Sequence, residues 1–184
     1  MRARDLDKQQ RIKKAMVSII LRDGINGASI AKIAKEAEVS PATIYVYYSN
    51  KEEMLSEVFR EYSSQSYSYL MNRIQPGMSG EALIESLVRG YFAYTVDNEE
   101  VFSFVEQCSR CPSISSSVSE EECCCDIFGL VHEYQQRGVI RNCSDINLAS
   151  LLFAPVRFLA MNCAKEAEPE LSELVELLQH MLLL

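Results

Sequence analysis

Apolar residues recur along this chain with the spacing of helices. Ile12, Ala15, Met16, Ile19 and Ile20 follow the i, i+3, i+4, i+7, i+8 pattern of one buried helix face. Gly24 and Gly27 end that helix and carry the chain through a turn. Ser29 is placed to cap a second helix with an inner face of Ile30, Ile33, Ala34 and Ala37. After the connector Glu38-Val39-Ser40, Ser40 caps a third helix. Pro41 takes its first turn, where a missing N–H costs nothing. Asn50 caps a fourth helix, with Glu53 three residues on as its capping-box partner and Met54, Leu55, Val58, Phe59 and Tyr62 as its stripe.

Gln75-Pro76-Gly77 breaks the chain. Further helices are expected near 80–96, 98–109, 117–137, 145–164 and 169–183, with Gly138 as the residue that ends one of them. The stretch from Pro112 to Ser119 is the least helical and reads as a loop. No segment alternates with strand periodicity and no internal repeat appears, so the fold class is all-α. The pattern divides the chain into an N-terminal part of short helices over 1–52 and a C-terminal helical domain over 53–184.

The stretch from Ser29 to Leu55 is helix, short turn, short helix. Small alanines let the two helices approach, Val39 fills the crevice between them, and Ile44 and Tyr48 face inward. Pro41, Ala42, Thr43, Tyr45 and Tyr47 are left outside or at the N-terminal end, where a recognition helix meets the major groove. Hydroxyls of Ser40, Thr43, Tyr45 and Tyr47 suit phosphates or base edges. For Ser29 and Ser40 plain capping is itself sufficient, and Tyr48 is assigned to the core.

The run from Ile33 to Leu55 resembles the TetR family of bacterial transcriptional regulators in residue types and spacing, near the N-terminus and ahead of an all-helical remainder. Glu38 departs from that family's usual turn glycine, Ala42 replaces another small Gly, and Ser29 replaces the commoner Thr. The resemblance implies DNA contacts from Ser29, Ser40, Pro41, Ala42, Thr43, Tyr45, Tyr47 and Lys51. It also implies a cytoplasmic homodimer on a double-stranded palindromic operator, repression released by a small-molecule inducer, and no enzymatic activity. Lys51 fits a phosphate partner on physical grounds too, because a cation at a helix N-terminus opposes the macrodipole. Arg2, Arg4, Lys8 and Arg11 are candidates for contacts from an N-terminal arm, and Lys13, Lys14, Lys32 and Lys35 for phosphate contacts or a solvated face.

Net charge at first opposes this reading. The 184 residues carry 18 Lys and Arg against 26 Asp and Glu, a balance of -8, and an acidic protein repels a polyanion. The sum hides an asymmetry. Residues 1–50 hold nine basic and five acidic side chains, and the remainder holds nine and twenty-one. The basic end carries the helix-turn-helix.

The second half is strongly apolar. From Ile146 to Cys163 the residues are apolar on nearly every side, with Pro155 and Arg157 in the middle, which reads as a buried helix rather than a membrane span. Leu171, Leu174, Val175, Leu178, Met181 and Leu182 add a second stripe. A chain of this size has little left to cover both, so self-association through these helices is expected. The middle helices would enclose an apolar inducer against Tyr91, Tyr94, Phe102, Val105, Cys108, Phe128, Val131 and Phe158, although each of these also serves as ordinary core.

The seven cysteines read as reduced thiols. Cys108 and Cys111 form a C-x-x-C, followed by Cys123, Cys124 and Cys125. This leaves an alternative, a thiol- or metal-responsive sensor with His132 as a further ligand. The plainer reading makes them small hydrophobes and expects no metal and no cofactor. His132 and His180 lie in no catalytic sequence context.

Overall fold

The computed structural model describes residues 3–115, 120–163 and 167–184. The described residues are helical apart from turns and one isolated bridge. The chain divides into two compact units. One takes the chain as far as Ser63 together with the stretch that begins at Glu100. The other takes Ser64–Glu99 and Glu120–Leu184.

The first unit opens with α1 (Ala3–Asp23), α2 (Ile30–Glu36), α3 (Pro41–Tyr45) and the start of α4 (Lys51–Met71). The expected stripe of α1 is its buried face: Ile12, Met16 and Ile20 are fully enclosed. Gly27 is required by packing, since a Cβ there would sit 2.3 Å from the Asp23 carbonyl oxygen at the end of α1. The stripe of α4 is buried as read, from Met54 to Tyr62. Asn50 caps α4 by accepting from the Glu53 N–H at 2.8 Å, but the Glu53 carboxylate returns to the Ser49 N–H, one residue earlier than a capping box places it.

This unit is completed from later in the chain by α6 (Glu99–Ser109) and α7 (Pro112–Ser115). Phe104 is fully buried and meets Tyr62 edge to face, with ring centroids 6.0 Å apart. The stretch expected to be a loop from Pro112 begins instead with a helical turn. Proline pre-sets the dihedral for a first turn, and buried Ile114 anchors it.

The second unit contains α5 (Gly80–Asp97), α8 (Glu120–Gln136), α9 (Asp145–Cys163) and α10 (Glu168–Leu182). Its core joins Leu83, Leu87 and Val88 of α5 to Val131 of α8, Leu148, Leu152 and Val156 of α9, and Leu171, Val175 and Leu178 of α10. Gly138 ends α8 with φ +69°, as the pattern predicts. The chain end is stitched down: Arg141 donates to the Leu182 carbonyl at 2.7 Å, and Leu184 donates to the Val139 carbonyl at 3.2 Å. Arg89 on α5 bonds Glu85, Glu168 at 2.6 Å and Ser172 at 3.0 Å, which holds the first turn of α10.

Within the single chain α9 is enclosed at Leu148, Leu152 and Val156, while Ile146, Phe158 and Met161 are 66–75% exposed. It packs on α5 and α10, and His132 of α8 meets Asp145 in its first turn. By length and composition α9 is apolar enough to cross a membrane. Arg157 lies within it, and its inner face is built into the core.

Candidate nucleic-acid interface

The helix-turn-helix forms through local chemistry. Ser29 caps α2 by accepting from the Lys32 N–H at 3.3 Å, and Ser40 caps α3 by accepting from the Thr43 N–H at 3.2 Å. Ile33, Ala34 and Ala37 of α2 and Ile44 of α3 form the seam, all at 3% exposure or less. The turn between them places Glu38 at φ +54°, the left-handed region that favours glycine. This is the position at which the sequence departs from its family resemblance. The Glu38 side chain is exposed, with Arg11 Nη1 3.9 Å from its carboxylate.

The outward side of α3 presents most of the expected residues. Pro41, Ala42 and Tyr45 are exposed, with Tyr45 at 57%. Thr43 is half-buried, with its hydroxyl 2.9 Å from that of Ser40. Tyr47 is half-buried and tilted against Tyr48 at 6.4 Å. Tyr48 is core as assigned, and burial pushes its hydroxyl pKa up to about 12. Sequence reasoning missed Val46, which is 77% exposed directly after α3. Its spacing four residues from Ala42 was the available signal.

The basic residues divide. Lys51 Nζ donates to the carbonyls of Ile25 and Ala28, at 3.4 and 3.3 Å, so a cation that seemed to need an external partner also ties down the α1–α2 connector. Lys32 Nζ bonds Asp23 at 2.7 Å and the Gly27 carbonyl at 2.9 Å. Lys13 is buried against Glu61, which corrects its reading as a surface cation. Lys14 and Lys35 are exposed. Much of the basic excess of this end is therefore paired within the protein. The side chains of Arg2 and Arg4 lie outside the described residues.

The candidate ligand residues fall in different units. Phe102, Val105 and Cys108 belong to the first; Tyr91, Tyr94, Phe128, Val131 and Phe158 belong to the second. Val131 is core, Tyr91 packs edge-on to Phe153 at 4.9 Å, and Phe158 is 70% exposed rather than enclosed. The Tyr94 hydroxyl is buried without a hydrogen-bond partner. Cys108 is fully buried, which pushes its thiol up to about 12, the opposite of what a sensing nucleophile or metal ligand needs. Among the described residues no group of three or more His, Cys, Asp or Glu is arranged to hold a metal. The side chains of Cys123, Cys124 and Cys125 lie outside them.

His132 does find an acidic partner that the sequence did not reveal. Its Nε2 lies 2.7 Å from Asp145 Oδ1, and both residues line an open cleft of about 510 Å³ together with Cys143 and Ser144.

Two capped helices packed through a small-residue seam, with an exposed aromatic and aliphatic face on the second, define a DNA-binding helix-turn-helix protein with a helical body. Residues 13–58 match the model of the family described as bacterial regulatory proteins, tetR family. A helix-turn-helix-type transcriptional regulator of uncharacterised role from Haemophilus influenzae is 25% identical over 91% of this chain and 87% of its own. The crystal structure of a TetR family transcription regulator from Marinobacter aquaeolei superposes with a TM-score of 0.87, at 22% identity, over 100% of this chain and 99% of that one. The transcriptional regulator FadR from Bacillus subtilis, solved in complex with stearoyl-CoA, superposes with a TM-score of 0.71 at 23% identity, over 92% of this chain and 96% of that one. Over residues 13–58 the chain is similar to the tetR family of bacterial regulatory proteins, and its fold is that of solved TetR-family regulators.

Proposed function

We propose that the protein is a ligand-responsive repressor that acts as a homodimer on a palindromic operator in the cytoplasm. DNA contact is assigned to residues 1–52, through Ser29, Ser40, Pro41, Ala42, Thr43, Tyr45, Tyr47 and Lys51. The chain from residue 53 is assigned ligand binding and dimerisation. The observation that carries the DNA assignment is the outward face of α3, where Tyr45 stands exposed above a seam closed by Ile44.

Dimerisation is supported by the apolar side chains that α9 and α10 leave uncovered, among them Phe158, Met161, Leu177 and Met181, each at least half exposed. Removing such a patch from water favours association at about 25 cal/mol per Å². A two-fold axis there would set two recognition helices about one DNA turn apart. The inducer is proposed to be apolar, supported by the stearoyl-CoA bound in the FadR structure of similar fold. Its mechanism is differential affinity: the ligand favours the arrangement of the dimer that fits the operator less well.

The test is fluorescence anisotropy on operator DNA with Tyr45→Ala and Lys51→Ala, then with stearoyl-CoA as the first probe of ligand class. Both variants are expected to bind more weakly, and Lys51→Ala to lower the salt slope by about one. Unchanged affinity in both variants overturns the DNA assignment. An acyl-CoA that binds without changing operator affinity overturns it as inducer.

A further inference from the structure

The reading face of α3 is short of hydrogen-bonding side chains. From Pro41 to Tyr48 the chain contains no Arg, Lys, Asn, Gln, Asp or Glu. The bidentate groups that recognise guanine and adenine are therefore absent from this element. The Thr43 hydroxyl is turned toward Ser40, 2.9 Å away. What α3 offers outward, beside the Tyr45 ring and hydroxyl, is aliphatic.

Ala42 and Val46 are four residues apart, one helical turn, so their methyl groups share a face. Val46 keeps helical dihedrals at the end of α3, with φ −69° and ψ −30°. At 77% it is the most exposed large hydrophobic side chain among the described residues, and it continues the face on which Tyr45 stands. A water-exposed, β-branched side chain there adds nothing to the packing of α3, whose inward residue is Ile44. The base-pair feature that complements a methyl-bearing face in the major groove is the 5-methyl group of thymine.

We propose that Ala42 and Val46 read thymine 5-methyl groups, so that the operator half-site is specified by methyl contacts rather than by bidentate hydrogen bonds to purines. The inference rests on α3 as the reading element and adds the chemistry it reads.

The probe is a duplex selected by the full-length protein from a pool with a randomised core. It is resynthesised with deoxyuridine replacing thymidine at one half-site position at a time, which removes only the methyl. Wild-type affinity is expected to fall about fourfold for each contacted methyl removed. Val46→Ser and Val46→Gly, which remove the side-chain methyls, are expected to bind the thymine and uracil duplexes alike at the position Val46 reads. Both substitutions are on the surface, and helical content by circular dichroism checks that they fold. Recovered half-sites without thymine, uracil duplexes bound as tightly as thymine ones, or Val46 variants that keep the wild-type sensitivity each overturn the proposal. Tyr45→Ala on the same duplex separates the two levels. If it weakens binding while uracil does not, only methyl reading is lost. If it binds as wild type, the assignment of α3 as reading element falls with it.

Discussion

Glu38 shows what one residue does to a turn. Left-handed backbone costs a non-glycine residue about 1–2 kcal/mol, partly offset because glycine loses more entropy on folding. The exposed contact with Arg11 returns little. Glu38→Gly is therefore expected to stabilise the protein by about 0.5 kcal/mol and raise Tm by about 1–2 °C, measured by differential scanning calorimetry. The left-handed turn was legible in the sequence through the family resemblance. The opposite holds for Lys13, whose burial depends on Glu61, 48 residues away, and no local pattern announces such a pairing. Cys108 carries a second prediction. Burial pushes its thiol up to about 12, so the reactive thiolate is disfavoured at neutral pH. Iodoacetamide labelling with peptide mapping is expected to modify exposed Cys163 and to leave Cys108 untouched until the protein unfolds. Rapid native labelling of Cys108 would revive the thiol-sensor reading.

Among the elements, helix positions were legible because a packed face repeats every three to four residues whatever lies opposite it. What lay opposite was not legible, and α9 is the example. Its apolar composition asks for more cover than one chain supplies, but no local signal said that Ile146, Phe158 and Met161 would be the side chains left exposed. The docking of α10 on α5 is the second case. Arg89 holds Glu168 through hydrogen bonding and charge, which sets the carboxyl pKa of Glu168 below its ordinary value. The Lys32 and Arg22 contacts do the same for Asp23 in the first unit. A carboxyl with a lowered folded pKa binds fewer protons folded than unfolded. Its contribution is complete above the unfolded value and is lost as pH falls through the folded one. Urea midpoints are expected to be flat from pH 8 to about 5 and to drop below about 4.5. Arg89→Met should lower the midpoint at neutral pH and lose that difference in acid. A variant equally destabilised at pH 7 and pH 3.5 would show that the ion pair is not the cause.

For the whole molecule, the exposed apolar side chains of α9 and α10 are what supports the proposed association. Phe158→Glu with Met181→Glu is expected to convert the proposed dimer to monomer in sedimentation velocity, and to weaken operator binding by at least tenfold because two half-sites are no longer linked. A double variant that stays dimeric places the interface elsewhere. The order in which the chain builds its units has a different consequence, for protein engineering. The unit bearing the helix-turn-helix is finished by Phe104, Cys108 and Ile114, which arrive only after the chain has built α5 elsewhere. A fragment ending at Ser63 would leave Tyr62 without its Phe104 neighbour. The DNA-reading portion is thus not a detachable cassette. A chimera that grafts another reader onto this body must exchange two separate stretches of sequence, and a truncated reader is expected to be a proteolysis-prone polypeptide rather than a smaller DNA-binding protein.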